Sequence, residues 1–185
     1  MPRSSDKRER LIRSADELIL RQGFKQTTLQ DIAQDSGVPL GNVYYYFKTK
    51  EDIGKTIIQS RIEKMEELLA DCSKQATPQE RLLKLLEYPV KARLTLAESG
   101  CPLGTLAYEL SRSDNVLGSY SHKLIEVLLD WSTHQFQQMG RSDYQALGLQ
   151  FVSNLQGMTL ISNTLDDPGI IDQMVVRTRE WILSL

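Results

Sequence analysis

Two cysteines, two histidines and two tryptophans among 185 residues leave little material for metal or redox chemistry. Cys72 and Cys101 lie in different segments and lack metal-ligand spacing, so neither a disulfide scaffold nor a zinc site is expected. His122 and His134 are too far apart to serve as a metal pair on one helix. No serine sits in a nucleophile elbow, and no glycine-rich phosphate loop follows a strand, because no alternating strand pattern is present. These absences argue against an enzyme and leave no cofactor or metal to be expected. No apolar run approaches the ~20 residues needed to span a bilayer, and the opening MPRSSDKRER is too polar for a signal peptide. The expectation is a cytoplasmic protein with no membrane partner.

What is present is charge, unevenly placed. The net charge of −2 divides into +3 over residues 1–50 and −5 over the remainder. A basic head on an acidic body turns the head toward phosphate, while the overall acidity limits indiscriminate nucleic-acid binding.

Residues 27–53, TTLQDIAQDSGVPLGNVYYYFKTKEDI, are the most informative stretch. Thr27 and Thr28 offer hydroxyl caps, with Gln30 and Asp31 at capping-box spacing, so a helix is predicted to begin near Leu29. Leu29, Ile32 and Ala33 fall on one face. Gly37 ends that helix, and Val38 and Pro39 lead into a second short helix through Gly41, Asn42, Val43, Tyr44 and Phe47. Thr49 caps the next one, with Asp52 three residues on. This is the pattern of a helix-turn-helix, whose second helix enters the DNA major groove with small and polar residues leading. Three successive tyrosines point about 100° apart on a helix, so at least one phenol faces outward. Tyr45 is expected to be the most exposed, and Tyr46 and Phe47 to pack inward.

The first 55 residues or so closely resemble the TetR family of bacterial transcriptional repressors. The resemblance rests on Gly23-Phe24, Thr27-Thr28, Ile32-Ala33, Ser36-Gly37-Val38, Gly41, Tyr44, Tyr46-Phe47, Lys50-Glu51 and Ile53 in the family's spacing. Ser36, Pro39-Leu40 and Ile53 depart from it, and Leu40 stands where a polar or basic side chain is common. The resemblance implies an all-α fold: an N-terminal three-helix helix-turn-helix DNA-binding domain, residues 1–50, and a C-terminal helical ligand-binding and dimerisation domain, residues 51–185. It also implies a homodimer on a palindromic double-stranded operator, released by a small-molecule effector. Matched to the motif, the DNA-binding candidates are Thr27, Thr28, Pro39, Leu40, Gly41, Asn42, Tyr44, Tyr45 and Lys50. Thr27 or Thr28 would meet a phosphate at a helix N-terminus, Gly41 would admit the backbone close to the duplex, and Asn42, Tyr44 and Tyr45 would reach bases or phosphates.

Past the head the chain reads as helical throughout. A first helix is predicted over residues 6–21, ending at Gly23, and a long one runs on from Thr49 as the link to the body. Thr77, Pro78 and Glu80 open another, kinked near Tyr88 by Pro89 and stopped at Gly100-Cys101-Pro102. Further helices are predicted over 103–111, 115–139, 143–165 and 169–185. The last two carry apolar stripes, Leu147, Phe151, Leu155, Met158 and Ile161 or Ser162 on one, and Ile171, Met174, Val175, Thr178, Trp181 and Ile182 on the other. Gly148, Ser153 and Gly157 would permit close helix approach. The family dimerises through a four-helix bundle of these helices, and the stripes are taken as that face, although periodicity alone does not separate it from an internal core.

In the family the effector occupies a mostly apolar pocket among the middle helices. Tyr88, Leu103, Tyr108, Leu128, Trp131, Phe151 and Asn154 offer suitable aromatic and polar lining. Cys101 joins them, because Gly100-Cys101 with Leu106 and Glu109-Leu110 resembles a G-C-x-x-x-x-L-x-x-E-L pattern of a family subset, some members of which sense electrophiles or oxidants through that cysteine. A thiol at a helix N-terminus is more readily ionised. Two alternatives to effector-released repression therefore stand: a cysteine sensor acting through Cys101, and a helical small-molecule-binding protein without DNA function.

Overall fold

The computed structural model describes residues 4–113 and 116–185, and every regular element among them is an α-helix. In order these are α1 (Ser4–Gln22), α2 (Leu29–Ser36), α3 (Leu40–Tyr46), α4 (Lys50–Cys72), α5 (Pro78–Leu85), α6 (Glu87–Lys91), α7 (Arg93–Ser99), α8 (Pro102–Ser111), α9 (Val116–Ser121), α10 (Lys123–Gln138), α11 (Tyr144–Leu165) and α12 (Gly169–Leu183). None of the described helices is long and apolar enough to cross a membrane.

The chain divides into two compact units, Met1–Ile62 with Thr105–Leu124, and Glu63–Gly104 with Ile125–Leu185. This differs from the consecutive division at residues 50 and 51. The segment after Gly104 returns to the N-terminal unit because α8 and α9 carry their own apolar side chains there: Leu106, Leu110 and Leu117 are fully buried. Sequence order alone gives no hint of that return.

In the N-terminal unit, α1 packs on α2 and α2 on α3. Leu11, Ala15, Leu18 and Ile19 of α1 are buried, as are Ile32, Ala33, Val43, Ile53 and Ile57. Gly54 of α4 is needed by this packing, since a Cβ there would lie 2.7 Å from Leu117 and 2.9 Å from the Phe24 ring. Asp16 of α1 accepts a hydrogen bond at 2.7 Å from Arg61 of α4, whose side chain is only 3% exposed. Such a buried pair is costly to break from one side.

In the C-terminal unit, α11 and α12 pack on each other and against α5, α6 and α7. Phe136 and Phe151 meet edge-to-face with ring centroids 6.2 Å apart. Leu147, Phe151, Leu155, Met158, Ile171, Val175 and Ile182 all belong to this core. The stripes expected to form a dimer face are thus the internal core, except Ile161, which is exposed. The outward apolar positions are Leu149, Leu160, Ile161 and Leu165 on α11, and Val176 and Leu183 on α12. Gly148 serves the internal packing, where a Cβ would lie 2.2 Å from Thr133 Oγ1, whereas a Cβ at Gly157 would meet nothing within 4 Å.

Two long helices are subdivided. The stretch from Pro78 to Ser99 is three helices separated at Leu86 and Ala92. Pro89 lacks an N–H for the Leu85 carbonyl and its ring crowds that carbonyl, so the break falls at Leu86, two residues before the expected kink at Tyr88. Between Val116 and Gln138 the helix is interrupted at His122. There the Ser119 and Ser121 hydroxyls donate to the Val116 and Gly118 carbonyls at 2.8 Å, the local competition with helix bonding that serine side chains offer. The expected start of this helix at Asn115 lies outside the described residues.

Candidate nucleic-acid interface and ligand cavity

The sequence builds the head through its caps. Thr28 and Asp31 form the expected capping box: Asp31 N–H donates to Thr28 Oγ1 at 3.1 Å, and Thr28 N–H donates to the Asp31 carboxylate at 2.8 Å. The Thr28 hydroxyl also donates to that carboxylate at 2.7 Å, and these bonds hold the Asp31 carboxyl below its ordinary pKa. Gly37, at φ 63°, ends α2 in the left-handed region, a conformation that costs glycine little. Val38 N–H returns to the Ala33 carbonyl at 3.2 Å and closes the turn into α3. Arg10 donates to the Ser36 carbonyl, and Ser14 to Asp35 at 2.6 Å, so α1 holds the end of α2 from beneath.

On α3 the two faces separate cleanly. Val43 and Phe47 are buried, Tyr46 is half-buried, and Pro39, Leu40, Gly41, Tyr44 and Tyr45 lie outward. Tyr45 is 74% exposed, the largest value among the exposed large apolar side chains, and its ring meets Tyr46 edge-on at 5.0 Å. Tyr44, at 47%, is not a core residue. Asn42 is half-buried and its N–H is spent on the Pro39 carbonyl at 2.7 Å. A Cβ on Gly41 would meet nothing within 4 Å, so packing among the described residues does not require glycine there.

Two candidates sit differently from the rest. Thr27 is buried and its hydroxyl donates to the Gly23 carbonyl at 2.8 Å, which turns it away from the outward face and leaves Thr28 as the exposed threonine. Lys50 folds back over the Phe24 ring at 4.7 Å and donates to the Lys25 carbonyl at 2.8 Å. Desolvation lowers its pKa, against the pull of Glu109, Glu51 and Asp31.

Within the C-terminal unit a small, mostly apolar cavity, partly open to solvent, is bounded by four of the expected residues: Tyr88, Cys101, Leu103 and Leu128. The remaining candidates are elsewhere. Phe151 is fully buried in the core and Trp131 packs against that core, donating to Ser73 Oγ at 3.0 Å. Tyr108 is exposed beneath the Arg112 guanidinium at 4.5 Å, and Asn154 is half-buried outside the lining. The sequence reading missed Met65, Leu85, Pro89 and Leu96, and from α11 Leu155, Gln156 and Thr159. Their apolar members sit in periodic stripes that look like core, and only the gap left by the broken α5, α6 and α7 distinguishes them. Thr159 donates to its own helix at 3.0 and 3.1 Å, and the Tyr88 phenol, the Gln156 amide and the Cys101 thiol are the other polar side-chain groups of the lining. Gly104 N–H donates to Cys101 Sγ at 3.4 Å. Burial pushes the Tyr88 phenol up, and the neighbouring Cys101 adds to the shift. No cluster of histidine, cysteine and acidic side chains fit for a metal occurs among the described residues.

Comparison with known proteins points in one direction. The family model "Bacterial regulatory proteins, tetR family" matches residues 11–55. The HTH-type transcriptional regulator LmrA of Bacillus subtilis (strain 168) is 30% identical over 167 residues, 86% of this chain and 87% of that protein. The HTH-type transcriptional repressor DhaR of Mycobacterium sp. (strain GP1) is 26% identical over 125 residues, 67% of this chain and 61% of that one. Among solved structures, a TetR transcriptional regulator from Chloroflexus aurantiacus J-10-FL superposes with a TM-score of 0.86 at 18% identity, covering 99% of this chain and 97% of the other.

Proposed function

Since the chain belongs to the TetR family of bacterial transcriptional regulators, we propose that it is a repressor, binding a palindromic operator as a homodimer and released by a small, mostly apolar effector. The observation that carries DNA binding is the outward face of α3, where Leu40, Tyr44 and Tyr45 are exposed and Gly41 is open although no internal contact demands it. A residue without a side chain at the leading end of a short helix suits close approach of the backbone to a duplex. The N-terminus of α2 supplies phosphate contact through the Leu29 and Gln30 N–H groups, which lie outside the capping box, and through the helix dipole.

The homodimer reading rests on the outward apolar row of α11 and α12, with Gly157 open one turn before the exposed Ile161. An isologous pairing of this surface fits the commonest symmetry of soluble oligomers. Two-fold symmetry then sets half-sites about 34 to 36 Å apart, or a multiple of that. The effector occupies the cavity of the C-terminal unit, with a coupling free energy of ~1 to 3 kcal/mol between effector and operator. Residues 1–50 act as the DNA-reading part and 51–185 as the effector-binding and dimerising part.

Electrophoretic mobility shift with a duplex selected from a random pool tests the reading. Tyr45→Ala or Asn42→Ala is expected to abolish the shift with the dimer intact by sedimentation. Unchanged affinity in both variants would instead favour a helical ligand carrier without DNA function.

A second reading is favoured by one observation, that Cys101 borders the cavity. A thiolate there adds to the β-carbon of an α,β-unsaturated carbonyl, forming a C–S bond while the α-carbon takes up a proton. Mass addition at Cys101 that releases DNA, absent in Cys101→Ser, is the outcome expected of it.

A further inference from the structure

Glu109 of α8 divides its carboxylate between two successive amides of the corner joining α1 to α2. Oε2 accepts from Phe24 N–H at 2.8 Å and Oε1 from Lys25 N–H at 2.6 Å. The corner does not need this to end α1, because Gly23, at φ 84°, already closes that helix through an N–H bond to the Ile19 carbonyl at 3.0 Å. An anion beside the C-terminus of a helix is moreover disfavoured by the helix dipole. Two converging N–H groups compensate it, in the manner of a backbone anion nest, and so does the Lys50 ammonium, which binds the Lys25 carbonyl at 2.8 Å.

The rest of the corner is equally tied. The Thr27 hydroxyl holds the Gly23 carbonyl, and Asp31 holds Thr28 N–H. Residues 23–28 thus form a bracket with α1 at one end, the exposed Thr28 and the N-terminus of α2 at the other, and Glu109 fixing it from a helix distant in sequence. A Cβ on Gly23 would lie 3.1 and 3.3 Å from the two carboxylate oxygens, so the bracket closes tightly around the acid.

We propose that Glu109 is a positioning residue for operator binding: its carboxylate, shared by the Phe24 and Lys25 amides, sets the direction in which α2 presents its N-terminus to a DNA phosphate. The inference rests on the DNA-binding reading above. Charge-assisted hydrogen bonds are about twice as strong as neutral ones, and Glu109→Gln keeps the shape while removing the charge and setting an NH2 group against one amide.

The experiment uses the full-length dimer and a duplex recovered by selection with the wild-type chain, scanned with single neutral methylphosphonate substitutions. Wild type is expected to lose affinity at a discrete set of phosphates, and Thr28→Ala to become insensitive at the phosphate facing α2. Glu109→Gln is expected to bind about tenfold more weakly and to become insensitive at that same phosphate alone, with faster amide exchange at Phe24 and Lys25 in the DNA-free protein. Glu109→Asp, too short to span both amides, is expected to repeat the selective loss should the glutamine variant fold poorly. Unchanged affinity, or a uniform weakening at every phosphate accompanied by a lower Tm, would overturn the positioning role. Failure of the wild-type chain to recover any sequence would instead overturn the DNA-binding reading beneath it.

Discussion

Gly148 and Gly157 lie on the same helix, yet alanine at the two positions is expected to act in opposite directions. In a helix interior alanine is favoured over glycine by ~0.8 to 1.0 kcal/mol. At Gly157 the new methyl meets nothing within 4 Å in the single chain, so the subunit gains that amount in full, about fivefold in its folding equilibrium. At Gly148 the methyl would lie 2.2 Å from Thr133 Oγ1 and 2.9 Å from Thr133 Cα. The hydroxyl can rotate away but the backbone carbon cannot, so α10 and α11 must part, and overpacking of this kind costs ~1 to 3 kcal/mol. The propensity gain offsets part of that, and with a contact as close as 2.2 Å Gly148→Ala is expected to destabilise by up to about 2 kcal/mol. In the homodimer proposed above the order at Gly157 reverses, because the methyl would enter the helix crossing twice by symmetry, and dissociation is expected to rise at least tenfold. Urea unfolding at several subunit concentrations, with sedimentation equilibrium, separates the two effects, since a dimer's apparent stability depends on concentration. Gly157→Ala dimerising as tightly as wild type would remove this face from the interface. Equal stability of the two variants as isolated subunits would refute the packing argument itself.

Replacing the buried Arg61 with methionine takes the guanidinium from Asp16, whose side chain is 21% exposed, and is expected to cost about 3 kcal/mol by urea denaturation; Asp16→Asn in the same chain should recover part of the loss. Leu40, 37% exposed at the start of α3, is expected to rest on a thymine methyl. Changing that thymine to uracil should weaken wild type about fourfold, from ~0.8 kcal/mol per methyl-sized group, and leave Leu40→Ala unaffected, so equal losses in both proteins would exclude the contact. Glu87, bound by Lys91 and Lys84 at 2.9 Å each, has its pKa lowered from 4.5 to about 2. A depressed carboxylate stabilises above its unfolded value and loses that contribution as pH falls through the folded one, so Glu87→Gln should flatten the acid limb of the Tm profile between about 4.5 and 2, and an unchanged limb would show the bridges are idle.

The head was legible in the sequence because its signals are local. Thr28 with Asp31, Gly37, and Thr49 with Asp52 each mark a helix end through contacts within a few residues, and the structure keeps them all, as it keeps the Thr77–Glu80 box that opens α5 in the body. The body was legible only as a set of helices. Whether Phe151 faces a core, a cavity or a second subunit depends on which neighbour covers it, and the same heptad-like spacing serves all three. The internal stripe was therefore assigned to the dimer, and four of the eight expected cavity residues proved to line the cavity. Glu109 passed unnoticed as a functional residue for a related reason. Its partners are backbone amides 84 and 85 positions away, and amides carry no sequence identity by which a pairing might be read.

Charge counted along the chain also overstates what the head presents to DNA. Among the cations that make residues 1–50 basic, Arg10 is spent on the Ser36 carbonyl, Arg21 lies 3.7 Å from Asp35, Arg8 lies over the Phe47 ring, and Lys50 is folded onto Phe24 and Lys25. Lys50 and Arg10 are engaged in packing, and the Arg10 guanidinium that satisfies the Ser36 carbonyl is not available to displace a counterion. The reading helix itself, LGNVYYY, bears no charged side chain. Phosphate attraction must then come from its flanks, where Lys25 and Lys48 are exposed and the N-terminus of α2 adds backbone N–H groups. On the reading proposed above, discrimination between sequences would fall to contacts of Leu40, Asn42, Tyr44 and Tyr45 of α3. Those contacts are short-ranged and insensitive to salt, whereas the phosphate contacts are both fewer than the cation count and strongly screened. Raising the ionic strength should therefore weaken binding to every duplex while leaving the ratio between a selected operator and an unrelated one nearly unchanged, which is the behaviour expected when charge holds the helix against the groove and uncharged side chains do the reading.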